Sequence, residues 1–336
     1  MKSIRKILFP FAAAYYLITL TRNWLYSQGY LSSTTYNFPV ICVGNLNTGG
    51  TGKSPMTEYL IAILSSGFNP VILSRGYGRK TKGFKQVKPT STPEEVGDEP
   101  LQFAKKFSAL PVFVCEDRRE GITQLQKRGG EPEVLVLDDA FQHRAVNAGF
   151  NIVLTAYDDL YVNDYLLPVG NLREPRRGAR RADVIVVTKC PLTLTLVAQK
   201  AIAKRLAAQD HQQLFFAGIS YSHKTKGDLE LSVDALSDRP IRVITGIANP
   251  KPFIAHLHSV GLTFEHKAYS DHHNFTSQEI AHLDRSGVLL TTEKDYMRLE
   301  GKLQQASLCY LPIKTKILND AHAFEKSITA FVEGFN

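Results

Sequence analysis

The run Asn47-Thr48-Gly49-Gly50-Thr51-Gly52-Lys53-Ser54 combines the features needed to hold a polyphosphate. Its glycines let backbone N–H groups turn toward phosphate oxygens, and a helix starting at its end adds a positive dipole. Lys53 supplies a cation for the terminal phosphates, and Ser54 supplies a hydroxyl for Mg2+. Asn47 stands where the common pattern has glycine, and asparagine tolerates a left-handed backbone better than most residues. A second run, VLVLDD at 134–139, is apolar and ends in Asp138 and Asp139. Carboxylates at such a strand end suit the metal opposite the loop hydroxyl, and either one could be the direct ligand. Together the two runs imply a nucleoside triphosphate with Mg2+. A kinase, a nucleotide switch and a motor all remain open.

Other segments narrow the choice. VGDEP (96–100) places Asp98 and Glu99 before an expected helix, where acids alone read as capping residues. LSRGYGR (73–79) puts Arg75 and Arg79 after a strand, on the edge where phosphates bind. The stretch 167–181 carries Arg173, Arg176, Arg177, Arg180 and Arg181 around Glu174, a density suited to phosphate or acidic lipid heads. It holds no aromatic residue for stacking bases, which speaks against nucleic acid as the partner. VTKC (187–190) has a strand-end lysine like that of guanine-binding switches, but lacks an aspartate two residues after Lys189. In YSDHHNFT (269–276), Asp271, His272 and His273 are adjacent and lack helical metal-ligand spacing. TTEKDYMR (291–298) begins where a strand is expected to end.

The elements that must position these groups are legible as short apolar runs. FPVICVGNL, VILSRGYGR, PVFVC, EVLVLDD, NIVLTAYDD and DVIVVTKC recur between helical stretches such as MTEYLIAILSSG and the amphipathic 192–209. That alternation predicts an α/β fold with a P-loop NTPase-like parallel sheet flanked by helices. Composition turns polar over 222–240, which predicts a first domain at 1–235 and a smaller α/β domain at 236–336 closing over the site. RVITGIANP, GVLLT and LCYLPIK read as the strands of that second unit.

Of the 336 residues, 43% are apolar and 21% charged, which indicates a globular chain, and the net charge of +8 favours anionic partners. Cys42, Cys115, Cys190 and Cys309 form no paired motif and read as reduced, buried thiols. At the amino end, Lys2, Arg5 and Lys6 precede an apolar run from Ile7 to Leu20 that Pro10 interrupts. It is too short for a spanning helix, and no cleavage site follows in TRNWLY. With Trp24, Tyr26 and Tyr30 behind it, residues 1 to about 35 read as a helix lying on a bilayer.

Taken together, the motifs resemble those of the tetraacyldisaccharide 4′-kinases of lipid A biosynthesis. The resemblance rests on VGNLNTGGTGKSP (43–55), SRGYGR (74–79), GDEP (97–100), LDDAFQHR (137–144), LREP (172–175), DHHNF (271–275) and TEKD (292–295), and spans roughly 36–315. It implies transfer of the ATP γ-phosphate to the 4′-hydroxyl of an acylated glucosamine disaccharide 1-phosphate. The setting it implies is the cytoplasmic face of the bacterial inner membrane, with the chain a monomer. It further implies that Asp98 accepts the hydroxyl proton, with His272 hydrogen-bonded to it, and that Lys53 stabilises the moving phosphoryl. Arg75, Glu99, Arg173 and Glu174 are then expected at the substrate. Ala140 and Ser54 depart from the usual Gly and Thr of that pattern.

Overall fold

The computed structural model describes residues 4–335 other than Asp238 and His272. The apolar runs become strands β1 (Val40–Asn45), β2 (Pro70–Ser74), β3 (Lys85–Val87) and β4 (Val112–Val114). β5 (Val134–Asp138), β6 (Phe150–Ala156), β7 (Val184–Cys190) and β8 (Gln213–Tyr221) continue the same sheet. A second sheet takes β9 (Lys226–Gly227), β10 (Ile241–Thr245), β11 (Phe264–Ala268), β12 (Val288–Thr291) and β13 (Ser307–Tyr310). The chain then returns to the first sheet as β14 (Ile313–Ile317).

The first sheet runs β14-β8-β7-β6-β1-β5-β2-β4-β3, parallel except at the two edge strands. Every residue of β1 and β5 is buried, which is why these strands read as continuous rather than alternating apolar runs. Helix α1 (Phe9–Ser27) precedes the sheet, and α2 (Lys53–Leu64) follows β1 directly. α3 (Pro93–Val96) and α4 (Asp98–Lys106) lie between β3 and β4, α5 (Arg118–Gly129) precedes β5, and α6 (Leu196–Leu206) joins β7 to β8. The second unit adds α7 (Val233–Leu236), α8 (Lys251–Ser259), α9 (Ser277–Leu283) and α10 (Glu293–Leu299). α11 (Ala321–Glu333) closes the chain. The four cysteines are free and buried.

The division of the chain differs from the sequence reading at its carboxyl end. LCYLPIK is not one strand: β13 and β14 lie either side of Leu311-Pro312 and belong to different sheets. β14 pairs antiparallel with β8, and Phe324, Ile328 and Val332 of α11 sink into the same core as Ile41 and Val136. Spacing of four residues puts those three side chains on one helix face. The second unit is therefore an insertion between β8 and β14.

Candidate active site

β1 and β5 are adjacent and parallel, so their carboxyl ends bring the phosphate-type loop and the paired aspartates to one edge. Gly52 at φ 82° turns the loop into α2, a conformation that favours glycine. A Cβ there would only touch Thr188, at 3.5 Å, so the backbone angle is what calls for glycine. The loop is fixed from outside: Thr188 Oγ1 donates to the Thr51 carbonyl at 2.6 Å, and Thr48 N–H to the Asn171 carbonyl at 2.6 Å. Asn47 is buried and does not adopt the left-handed backbone its position suggested. Its amide instead donates to Asp164 at 3.2 Å, and its carbonyl accepts from Asn45 at 2.7 Å.

Lys53 sits 3.7 Å from Asp139 and 3.4 Å from the Asn45 side-chain oxygen. Asp139 has φ 48°, strained for a residue with a side chain, and also pairs with Arg173 at 3.0 Å. The left-handed position is thus Asp139 and not Ala140, so the extra methyl of Ala140 strains nothing. Asp138 is buried and accepts from Ser74 Oγ at 2.9 Å and Thr57 Oγ1 at 3.3 Å. Burial, with Glu99 and Asp139 as neighbouring negative charges, pushes its carboxyl up to about 7. The buried guanidinium of Arg118 donates to the carbonyls of both aspartates, at 3.0 and 3.4 Å.

Gly97 opens α4 at φ 91°, and a Cβ there would stand 2.9 Å from the Tyr77 carbonyl. This close approach locks the 74–79 loop against the start of α4, where Asp98 and Glu99 diverge. Glu99 accepts from Ser54 Oγ at 2.9 Å and pairs with Lys294 at 2.6 Å. Burial alone would raise its carboxyl, but Lys294, Lys53 and the Ser54 hydroxyl pull it down to about 2. Asp98 pairs with Arg298, whose Nη2 and Nε lie 2.6 and 3.0 Å from one carboxylate oxygen. Both cations come from α10, so the second unit closes on the first through the residues expected to act.

The remaining expected residues divide. Arg75 is exposed at the carboxyl end of β2. Glu174 does not face the cleft, and this corrects its placement at the substrate. It is fully buried, held by Arg181 at 2.9 and 3.0 Å, Gln142 at 2.9 Å and Asn23 at 3.1 Å, and so fastens α1 to the site's floor. His272 lies outside the described residues; the adjacent His273 pairs with Glu279 at 3.0 Å. Sequence reasoning assigned nothing to Arg298 or Arg118. Arg298 was findable, because it follows Lys294 by one helical turn in a segment already at a strand end.

Over residues 4–333 the sequence matches the family described as tetraacyldisaccharide-1-P 4′-kinase. The chain belongs to this family. A tetraacyldisaccharide 4′-kinase of Flavobacterium psychrophilum is 45% identical, covering 99% of this chain and 98% of that protein. One from Bacteroides fragilis is 40% identical over 98% of this chain and 93% of its own length. The crystal structure of LpxK from Aquifex aeolicus in complex with ATP superposes with a TM-score of 0.80 at 31% identity, covering 98% of this chain and 99% of that one. The family likeness therefore runs through both sheets and α1.

Proposed function

We infer that this chain transfers the γ-phosphate of ATP to the 4′-hydroxyl of a tetraacylated glucosamine disaccharide 1-phosphate. The observation that carries the reading is the meeting of Lys53, Ser54, Asp139 and the Asp98–Glu99 pair at one cleft. The sugar oxygen attacks the γ-phosphorus, the bond to the bridging oxygen breaks, ADP leaves with that electron pair, and Asp98 takes the hydroxyl proton. Phosphoryl transfer needs mainly positioning and charge stabilisation, which a rigid loop and converging side chains provide. Lys53 would face the terminal phosphates, and Arg173, which pairs with Asp139 at 3.0 Å, would contact the substrate. His272 would orient the Asp98 carboxylate.

Mg2+ fits the donors present. Ser54 and one of Asp138 and Asp139 would hold it, leaving positions for phosphate oxygens and water, as this hard cation prefers. Burial first, then Glu99 and Asp139, push the Asp138 carboxyl up, and a divalent cation beside it would favour its charged form. When bound, the ion would neutralise charge on the phosphates. Beside the loop, a cavity of about 440 Å³ runs from Gly52 and Met56 past Tyr157, Lys189 and Ile219 to Phe253. Its mostly apolar walls suit the purine base. In a transfer assay with γ-labelled ATP, label should appear in the lipid and stop on chelation with EDTA. Label released only as free phosphate would point to a nucleotide switch instead.

The substrate's acyl chains keep it in a bilayer, and α1 is built to meet it there. Phe9, Phe11, Leu17, Ile18 and Trp24 are more than half exposed, while Ala12 and Thr19 are buried and Tyr15 donates to the Arg173 carbonyl at 2.8 Å. No helix among the described residues is long and apolar enough to cross a membrane. α1 would lie in the interface on the cytoplasmic side, where ATP is supplied, and one chain carries the whole cleft, so a monomer suffices. Fully burying such side chains is worth roughly 1.5–3 kcal/mol each. Phe11→Asp with Ile18→Asp should therefore lower partition onto anionic vesicles at least about tenfold. Unchanged co-sedimentation would remove α1 as the docking element.

A further inference from the structure

Lys294 has no role in the chemistry described so far, although it reaches the centre of it. Its ammonium lies 2.6 Å from Glu99 Oε1, the same oxygen that accepts the Ser54 hydroxyl at 2.9 Å. Lys53 is close enough to pull on the same carboxylate, and both lysines act on Lys189, whose Nζ stands 3.8 Å from where a Cβ of Gly50 would be. Three ammonium groups from α2, β7 and α10 thus converge on the phosphate loop. Burial works against the charge on Lys294, but Glu99 outweighs it and holds the ammonium protonated.

The backbone carrying Lys294 is anchored on both sides. Thr292 Oγ1 donates to Asp295 at 2.7 Å, and Asp295 also accepts the Gly246 N–H at 2.9 Å. Glu293 is held by Lys106 at 3.0 Å. Only the four-carbon stem is free to swing, and a lysine carries its charge as a compact point on such a stem. The anion this ammonium pairs with is Glu99. A triphosphate gripped by the loop presents more negative charge than one carboxylate, at the same place.

Resting on the kinase reading above, we propose that Lys294 is a catalytic residue: its ammonium leaves Glu99 for a non-bridging oxygen of the phosphoryl group in transfer. The second unit thereby supplies a cation in cis, in the role that an inserted arginine plays in other phosphoryl-transfer enzymes. Charge spreads over the equatorial oxygens in the transition state, so the cation contributes more there than in the bound ground state. Glu99 acts as its parking place and holds Ser54 until the substrate arrives.

Lys294→Met in the full-length chain tests this. Turnover should fall about 10²-fold or more, with the KM for ATP changing less than about threefold. Affinity for ADP with aluminium fluoride, which mimics the transferring group, should fall in parallel, while a non-hydrolysable ATP analogue binds as before. A strut between the units would act differently, changing analogue and fluoroaluminate affinities alike, and that result overturns the proposal. So does turnover within threefold of the parent. Should Lys294→Met melt early, Lys294→Gln, which keeps a polar contact to Glu99, is read by the same pair of affinities. A parent chain that labels no lipid takes the kinase reading down, and this proposal with it.

Discussion

Asp98→Ala is expected to cut turnover about 10²-fold or more while ATP binding stays within a few-fold. The carboxylate sits at the first turn of α4, beside the residue that holds Ser54, and removing it leaves the phosphate loop untouched. Arg298 then keeps Asp295 at 2.9 Å and the Gly246 carbonyl at 3.1 Å, so α10 retains its anchor. The loss of turnover should therefore appear in kcat, alongside a lower melting temperature from breaking the largely buried Asp98–Arg298 pair. Asp98→Asn, which keeps the shape but cannot take a proton, should fall nearly as far. Turnover near that of the parent in either variant would exclude Asp98 as the proton acceptor.

Lys53→Ala should lower kcat by about 10²- to 10³-fold and weaken ATP binding as well. The lysine is largely buried beside Asp139 and Asn45, and it is the loop's own cation. Its loss also leaves Asp139 paired with Arg173 and no longer with Lys53, so the metal requirement of the variant should shift. Isothermal titration with ATP and steady-state kinetics across a range of Mg2+ separate the two contributions. A variant that binds ATP and turns over like the parent would remove the loop from the nucleotide site.

Much of this arrangement was legible in the residues. Loops with chemical work announce themselves by composition: Gly49 to Ser54, Asp138–Asp139 and Asp98–Glu99 all stand where continuous apolar runs end. What could not be read is which charges neutralise one another across the chain. The family resemblance places Glu174 at the substrate, yet Arg181, Gln142 and Asn23 close over it. Asn47 looked like a conformational stand-in for glycine, and its side chain instead ties the loop to Asp164. The return of 313–333 to the first sheet was also invisible, because β14 alternates (IKTKI) and α11 carries an ordinary apolar stripe. Neither pattern says which sheet it will join. β8 (QLFFAGISY) is the strand that receives β14.

That return has a mechanical meaning. The inserted unit is attached at two points, and they touch, since the Ser222 N–H donates to the Pro312 carbonyl at 2.8 Å. A body hung from a paired ribbon can tilt about it but can hardly twist or drift, so α10 should revisit the same spot at every stroke. Trimming the tail would then strip the floor beneath the nucleotide instead of loosening the flap.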